Sequence, residues 1–95
     1  MNQYQTELSE LKTWDTIQGT YKIPNANYDF INTAGHGYLV VPKTDRDADI
    51  AKKICKYGFV GKLAYYLEED CEAWEFLRKK ERRETRIENA SWKNI

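Results

Sequence analysis

The sequence predicts a single α+β domain, with a small three-stranded, mostly antiparallel sheet and helices packed on one face of it. Apolar residues recur at helical spacing in three segments, and they alternate or cluster as short β-favouring runs in three others. The strands are too few and too close together along the chain for a doubly wound parallel sheet. A chain of 95 residues also carries apolar material for only one core. We therefore expect one domain spanning residues 1–95.

The N-terminal helix is predicted over residues 1–14. The apolar residues of this segment recur at helical spacing, which places them on one face. They are Tyr4, Leu8, Leu11 and Trp14. Residues 15–27 change character, because Gly19, Pro24 and two asparagines are typical of loop or extended chain. No regular element is predicted there.

A β-hairpin is predicted over residues 28–41. Two short β-favouring runs flank a turn that contains Gly35, His36 and Gly37. The glycines are expected to supply the positive φ angles of a tight reversal. Pro42 lacks the amide hydrogen that a continuing strand needs, so the second strand should end there.

The second helix is predicted over residues 44–57. Thr44, with Asp47 three places later, has the pattern of a capping box, in which a hydroxyl and a carboxylate satisfy the backbone donors of a first turn. Apolar residues then follow at helical spacing. Gly58 stands where a helix needs a left-handed terminating residue.

A third strand is predicted over residues 59–67, whose odd positions are mostly apolar. A charged helix is predicted over residues 69–86, because acids favour the first turn of a helix and Trp74 and Leu77 follow at helical spacing. Trp74 is assigned to the core. Residues 87–95 are predicted to be either a frayed tail or a strap folded back on the body.

The composition disfavours several classes of protein. Fifteen Lys and Arg balance fifteen Asp and Glu, so no global field attracts nucleic acid or an anionic membrane, and a whole-surface mimic of DNA is disfavoured. The absence of a long apolar run predicts a cytoplasmic protein without a membrane span. Cys55 and Cys71 are expected to be free, partly buried thiols, because a reducing compartment disfavours disulfides.

His36 is the single histidine of the chain and lies between two glycines. A catalytic interpretation makes it a general base, but no serine elbow or other nucleophile motif accompanies it. A metal interpretation would join it with Cys55 and Cys71, yet structural zinc normally takes four ligands in two close pairs. We therefore expect a local hydrogen-bonding role in the turn, no enzyme activity, and neither a metal site nor a cofactor.

Partner binding is the function that the charged segments favour. Acidic side chains at the start of the last helix offer carboxylates to a basic groove on a partner, although a first helical turn also favours acids for structural reasons. A basic run follows, interleaved with Glu81 and Glu84, which weakens it as a phosphate-binding stripe. Trp92, in a polar tail, is the candidate exposed anchor. The acidic and basic candidates are Glu68, Glu69, Asp70, Glu72, Lys79, Arg82, Arg83 and Arg86.

Two strings in the chain resemble a pattern of small phage and plasmid proteins of unknown function. The first is the Thr-Ala-Gly-His-Gly turn at residues 33–37 with the strand after it, and the second is Glu-Glu-Asp-Cys-Glu-Ala-Trp at residues 68–74. The charged helix after Pro42 and the Arg-rich C-terminal helix depart from that pattern. The resemblance implies a mobile-element origin and a bacterial host cytoplasm, and it supplies no activity.

By analogy with small phage proteins, we expect an inhibitor that binds a host protein or protein–nucleic-acid complex, such as a CRISPR-Cas effector, as an anti-CRISPR protein does. The alternative hypothesis is a nucleic-acid-binding accessory or regulatory protein that uses the basic helix around residues 78–86. A minimal enzyme centred on His36 is a third hypothesis. A homodimer formed through the exposed helix and tail also stays open.

Overall fold

A computed structural model describes residues 2–11, 16–23 and 27–93, with side chains as far as Ile87. The described elements, in chain order, are α1 (Gln3–Leu11), β1 (Ile17–Lys22), β2 (Asp29–Thr33), β3 (Gly37–Pro42), α2 (Ala48–Ile54), β4 (Phe59–Val60), β5 (Ala64–Glu68) and α3 (Glu72–Lys93). The predicted α+β class is confirmed. None of the described helices is both long enough and apolar enough to cross a lipid bilayer.

The sheet has five strands within the described residues, not the predicted three. Their order is β1-β2-β3-β5-β4, and every neighbouring pair is antiparallel. The first unpredicted strand, β1, lies in the segment that we expected to have no regular element. It forms an edge of the sheet, and its pairing with β2 shifts register between Ile17 and Gly19. Its sequence gives a weak strand pattern because neither of its faces is deeply buried.

The second unpredicted strand arises because the predicted strand over 59–67 is a hairpin of two strands. The Gly61 amide donates to the Ala64 carbonyl oxygen at 2.9 Å, which closes the reversal. The two following backbone amides, of Lys62 and Leu63, turn out of the sheet and donate to the Glu7 carboxylate at 2.7 and 3.1 Å. The alternating apolar pattern continues across this turn, so the sequence gives no sign that the strand is divided in two.

Helices cover both faces of the sheet, so the predicted packing on one face is wrong. Alternate residues of β3 enter different clusters: Leu39 and Val41 pack in the cluster that includes Phe76 of α3, whereas Tyr38 and Val40 pack in the cluster that includes Leu8 of α1. A strand in the middle of a five-stranded sheet has two faces to bury, and one layer of helices can cover only one of them.

The helix boundaries also differ from the predicted ones. The first helix is shorter than 1–14, and Trp14 lies outside the described residues. The second does not begin at Thr44, because residues 43–47 form turns and Asp47 is the residue before its first turn. It ends before Cys55, whose backbone is extended, with φ −74° and ψ 99°.

The C-terminal segment continues α3 to Lys93, so a tail beginning at residue 87 is wrong. Charged pairs four residues apart, such as Lys80 with Glu84, support a helix with a solvated face. The 22-residue helix is about 33 Å long at 1.5 Å per residue, and the molecule measures 53 × 23 × 23 Å. The Trp92 side chain lies outside the described side chains.

Gly37 and Gly58 are needed for their small size. None of the five glycines, all of which lie in the described part of the chain, has a positive φ angle, so the expected left-handed roles of Gly35, Gly37 and Gly58 are wrong. A Cβ on Gly37 would overlap the Phe30 ring, and one on Gly58 would overlap the carbonyl oxygen of Tyr66. The turns at these positions bring the backbone against neighbouring strands, where no side chain fits.

Glu72, predicted as a surface residue for partner binding, is buried and structural, with only 3% of its surface exposed. Its carboxylate accepts hydrogen bonds from the backbone amides of Lys56 at 2.5 Å, Tyr57 at 2.6 Å and Gly58 at 3.0 Å. It also accepts one from the Glu68 amide at 3.3 Å. One side chain therefore joins the start of α3 to the loop after α2 and to the end of β5.

Glu7 performs a similar task on the opposite face of the sheet. Besides the two amides of the turn between β4 and β5, its carboxylate accepts a hydrogen bond from the Tyr66 hydroxyl at 2.8 Å. Burial favours the neutral acid, but the hydrogen bonds from Tyr66 and the backbone outweigh it and lower the pKa of Glu7 below its ordinary value of 4.5. The ionised carboxylate thus holds α1 against the sheet.

We expect the Glu72→Gln variant to lose about 3 kcal/mol of unfolding free energy, because an amide group would face backbone donors that need an acceptor. Urea denaturation followed by circular dichroism measures the loss. Glu75→Gln is the matched control, since Glu75 is half exposed and lies 3.8 Å from Lys79 in a solvated pair. Equal stability of the Glu72→Gln and Glu75→Gln variants would contradict the structural role of Glu72.

The Glu7 carboxylate makes stability depend on pH. Because its pKa is lower in the folded chain than in the unfolded chain, its contribution is present above the unfolded value of about 4.5 and is lost as pH falls through the folded value. The difference in unfolding free energy between the wild type and Glu7→Gln should therefore be largest near neutral pH and shrink below about pH 4.5. Urea denaturation of both proteins across this range measures it; a constant difference would contradict the assignment.

Candidate functional site

The fold brings together the two strings that the sequence analysis singled out separately. β3 pairs with β5 so that Tyr38 stands opposite Glu68, and the Glu69 amide donates to the Gly37 carbonyl oxygen at 3.0 Å. The turn at 33–37 and the segment at 68–74 therefore form one end of the sheet. The two strings are far apart along the chain, so the sequence alone does not predict their contact. The register of β3 against β5 brings them together.

The turn that carries His36 is closed by Thr33. The Thr33 hydroxyl donates to the His36 carbonyl oxygen at 2.7 Å and accepts a hydrogen bond from the His36 amide at 3.1 Å. Thr33 is buried, whereas about half of the His36 side chain is exposed. The threonine and the backbone thus close the turn, so the expected local hydrogen bond of the His36 imidazole is wrong; the imidazole lies half exposed, 3.9 Å from Glu68.

Three potential metal ligands lie together at this end of the sheet. The Nδ1 atom of His36 is 3.9 Å from the Oε1 atom of Glu68, and one ligand atom each of His36, Glu68 and Asp70 lie within 4.8 Å of one another. Glu68 Oε2 accepts the Asp70 amide at 3.1 Å, while Oε1 is buried without a hydrogen-bond partner. An imidazole with two carboxylates is a donor set for a divalent cation. The thiols of Cys55 and Cys71 are not part of this cluster.

An apolar groove, the Tyr21/Trp74 groove, opens beside this cluster. It has a volume of about 500 Å³ and runs between the sheet and the beginning of α3. Aromatic and aliphatic side chains form most of its walls, and two acids complete them. The lining residues are Tyr21, Ile23, Phe30, Leu39, Glu69, Asp70, Ala73, Trp74 and Leu77.

Trp74 is exposed over 65% of its surface, so its assignment to the core is wrong. Its helix turns Ala73 and Phe76 into the core instead, which places Trp74 on the rim of the groove. Tyr21, also more than half exposed, has its ring centroid 5.3 Å from that of Phe30. Sequence reasoning missed Tyr21, because it lies in the segment with no recognisable pattern.

The predicted basic residues divide between two roles. Arg83 donates to Asp47 at 3.0 Å and to both oxygens of Asp49 at 3.0 and 2.8 Å. Hydrogen bonds from Arg83 lower the pKa of Asp49 to about 2. Arg82 and Arg86, by contrast, are exposed.

A second groove, the α2/α3 groove, has a volume of about 290 Å³ and is lined by five cationic residues and one acid. Contacts show that the helices lie antiparallel: Asp49 at the start of α2 meets Arg83, whereas the loop after α2 meets Glu72 at the start of α3. Sequence reasoning missed Lys53 as a partner of the basic run. The lining residues are Asp49, Ile50, Lys53, Ile54, Lys79, Arg82, Arg83 and Arg86.

The two cysteines beside the site differ in environment. Burial, with the nearby charge of Glu72, raises the pKa of the Cys55 thiol to about 11, whereas Cys71 is exposed, so the expected partial burial of Cys71 is wrong. At pH 8 iodoacetamide should therefore alkylate Cys71 at least about tenfold faster than Cys55 in the folded protein, because the thiolate reacts. Peptide mass spectrometry measures both rates, and a denatured sample is the control. Similar rates in the folded protein would contradict this environment for Cys55.

Comparison with protein-family models, curated proteins and solved structures finds no match to this chain. The resemblance to phage and plasmid proteins therefore stays a prediction.

Proposed function

We propose that this chain is a non-enzymatic binding protein. In this proposal the Tyr21/Trp74 groove takes a segment of a partner protein that presents an apolar side chain next to a lysine or arginine. The observation that carries the proposal is the largely exposed Trp74 on the rim of an open apolar groove. Exposed apolar surface of this kind, beside polar residues, is typical of protein interaction sites.

The aromatic residues supply the expected binding energy. Tryptophan and tyrosine are the residues most often found as anchors of protein interfaces, because each buries a large rigid surface with few rotatable bonds. In this groove Trp74 and Tyr21 keep more than half of their surfaces exposed, while the Phe30 ring beneath them is buried. Apolar side chains of a partner segment would enter the groove and cover both exposed rings.

The acids specify the charge of the partner. Glu69 and Asp70 line the groove where α3 begins, and no lysine or arginine among the described residues forms an ion pair with either of them. A cationic side chain next to the apolar one would therefore meet uncompensated carboxylates. Such complementarity favours the encounter and rejects acidic partners.

An inhibitor of a host defence complex is the finer proposal. A nucleic-acid channel, such as that of a CRISPR-Cas effector, combines cationic side chains with aromatic surfaces on which bases stack. The acids of the Tyr21/Trp74 groove would complement the cations of such a channel, and its aromatic rings would pack on the surfaces where bases stack. The inhibitor would act by stoichiometric occupation of the channel, without a chemical step.

The test begins with capture of partners from a nuclease-treated bacterial lysate and continues with titration of each purified partner by calorimetry. Trp74→Ser should weaken binding by about 2 kcal/mol, which is roughly 30-fold, because it removes the anchor. Tyr57→Ser is the matched control, since Tyr57 is 75% exposed but lies outside the groove. Equal effects of the two substitutions would contradict the proposed docking site.

Charge and catalysis have separate tests. Exchange of both Glu69 and Asp70 for lysine should weaken the affinity for the same partner at least about tenfold, whereas Glu81→Lys, which changes an exposed acid outside the groove, should not.

His36→Asn should leave binding and inhibition intact; loss of function with normal stability would instead favour the enzyme hypothesis. Concentration-dependent sedimentation of the isolated chain that Trp74→Ser abolishes would identify a second copy as the occupant, against the proposal.

A further inference from the structure

We infer that the α2/α3 groove is a second binding surface, which takes the phosphate backbone of a nucleic acid. This inference goes beyond the proposed function, because it concerns other residues, a different face of α3 and a partner of opposite charge. Of the six charged residues that line the groove, five are cationic. The groove thus concentrates positive charge on a chain whose formal net charge is zero.

The five cations of the groove differ in whether an acid of the chain already compensates their charge. Arg83 is held by Asp47 and Asp49, so its charge is already compensated. Lys79 makes only a long contact with Glu75, at 3.8 Å between half-exposed side chains. The three remaining cations of the groove, Lys53, Arg82 and Arg86, form no ion pair with an acid of the described chain.

The acids that interrupt the basic run in the sequence lie on other faces of α3. Glu84 pairs with Lys80, which lies over the ring of Tyr28 at 5.9 Å from its centroid, away from the groove. Glu81 does not line the groove; it lines a neighbouring depression on the helix surface together with Arg82. Neither interleaved acid therefore lies in the groove, where Asp49 is the only acidic lining residue in the described part of the chain.

The positions of the four cations other than Arg83 suit a chain of phosphates. Lys79, Arg82 and Arg86 recur three and four residues apart, which places them along one face of α3. At 1.5 Å per residue they extend over about 10 Å, with Lys53 on the opposite wall. A line of charges along an open groove suits successive phosphates, whereas a single phosphate needs cations that converge on one point. Arginine also matches phosphate through its planar, forked donors.

Fluorescence anisotropy with a labelled oligonucleotide, single-stranded and duplex, tests this inference on the full chain. We expect binding at low salt that weakens with added salt, because bound cations displace counterions from phosphates. Exchange of Arg82 and Arg86 for glutamine should weaken binding at least about tenfold and reduce the slope of log affinity against log salt by about two.

The matched control exchanges Lys43 and Lys62 for glutamine, which removes the same net charge at exposed positions outside the groove. It should change affinity by less than about threefold. Trp74→Ser should leave nucleic-acid binding unchanged, so failure here is distinguishable from failure of the proposed function. Absence of binding at low salt, equal losses in the two double variants, or stronger binding of polyglutamate than of the oligonucleotide would each overturn the inference.

Discussion

The buried carboxylate of Glu72 is the interaction on which the rest of the structure depends. It satisfies backbone amides of the loop after α2 and of the last residue of β5, and its own position fixes the first turn of α3. A backbone amide without a partner would cost free energy at each of these places. Because α3 starts where Glu72 fixes it, Trp74 lies beside the sheet and the helix then passes along α2. Both grooves therefore depend on this anchor, together with the contacts of Phe76 and Arg83 further along the helix.

Acidic side chains elsewhere in the chain also serve as internal connectors. Glu7 bonds the turn between β4 and β5 on the opposite face of the sheet, and Asp47, fully buried, accepts a hydrogen bond from Arg83 of α3. Each of these contacts joins residues more than thirty positions apart. In a small domain, whose core buries a modest area, such connections help to position elements that apolar packing alone would leave free to slide. Acid-rich composition is therefore partly a structural requirement here.

The parts of the fold that depend on local patterns could be predicted from the sequence. The hairpin of β2 and β3 and the three helices follow from alternation and helical spacing. The edge strand β1 could not, because its pairing with β2, and not its own composition, makes it a strand. The burial of Glu72 and the exposure of Trp74 were both assigned the wrong way round. A glutamate is usually exposed and a tryptophan usually buried, but the direction of α3 against the sheet buries Glu72 and exposes Trp74.

The balance of charge in the sequence conceals a separation of charge in the structure. Helical geometry directs Lys79, Arg82 and Arg86 towards α2, while Glu69 and Asp70 lie at the other groove, where α3 begins. The opposite fields of the two surfaces cancel at long range because the formal net charge is zero, and salt screens each field beyond a Debye length of about 8 Å at physiological ionic strength. Each surface can therefore attract a partner only at close approach, and shape and apolar contact must supply the remaining selectivity. In the acidic groove the exposed aromatic rings supply that contact, whereas the basic groove has only two apolar residues in its described lining, Ile50 and Ile54. This difference favours a protein segment in the first groove and a phosphate chain in the second.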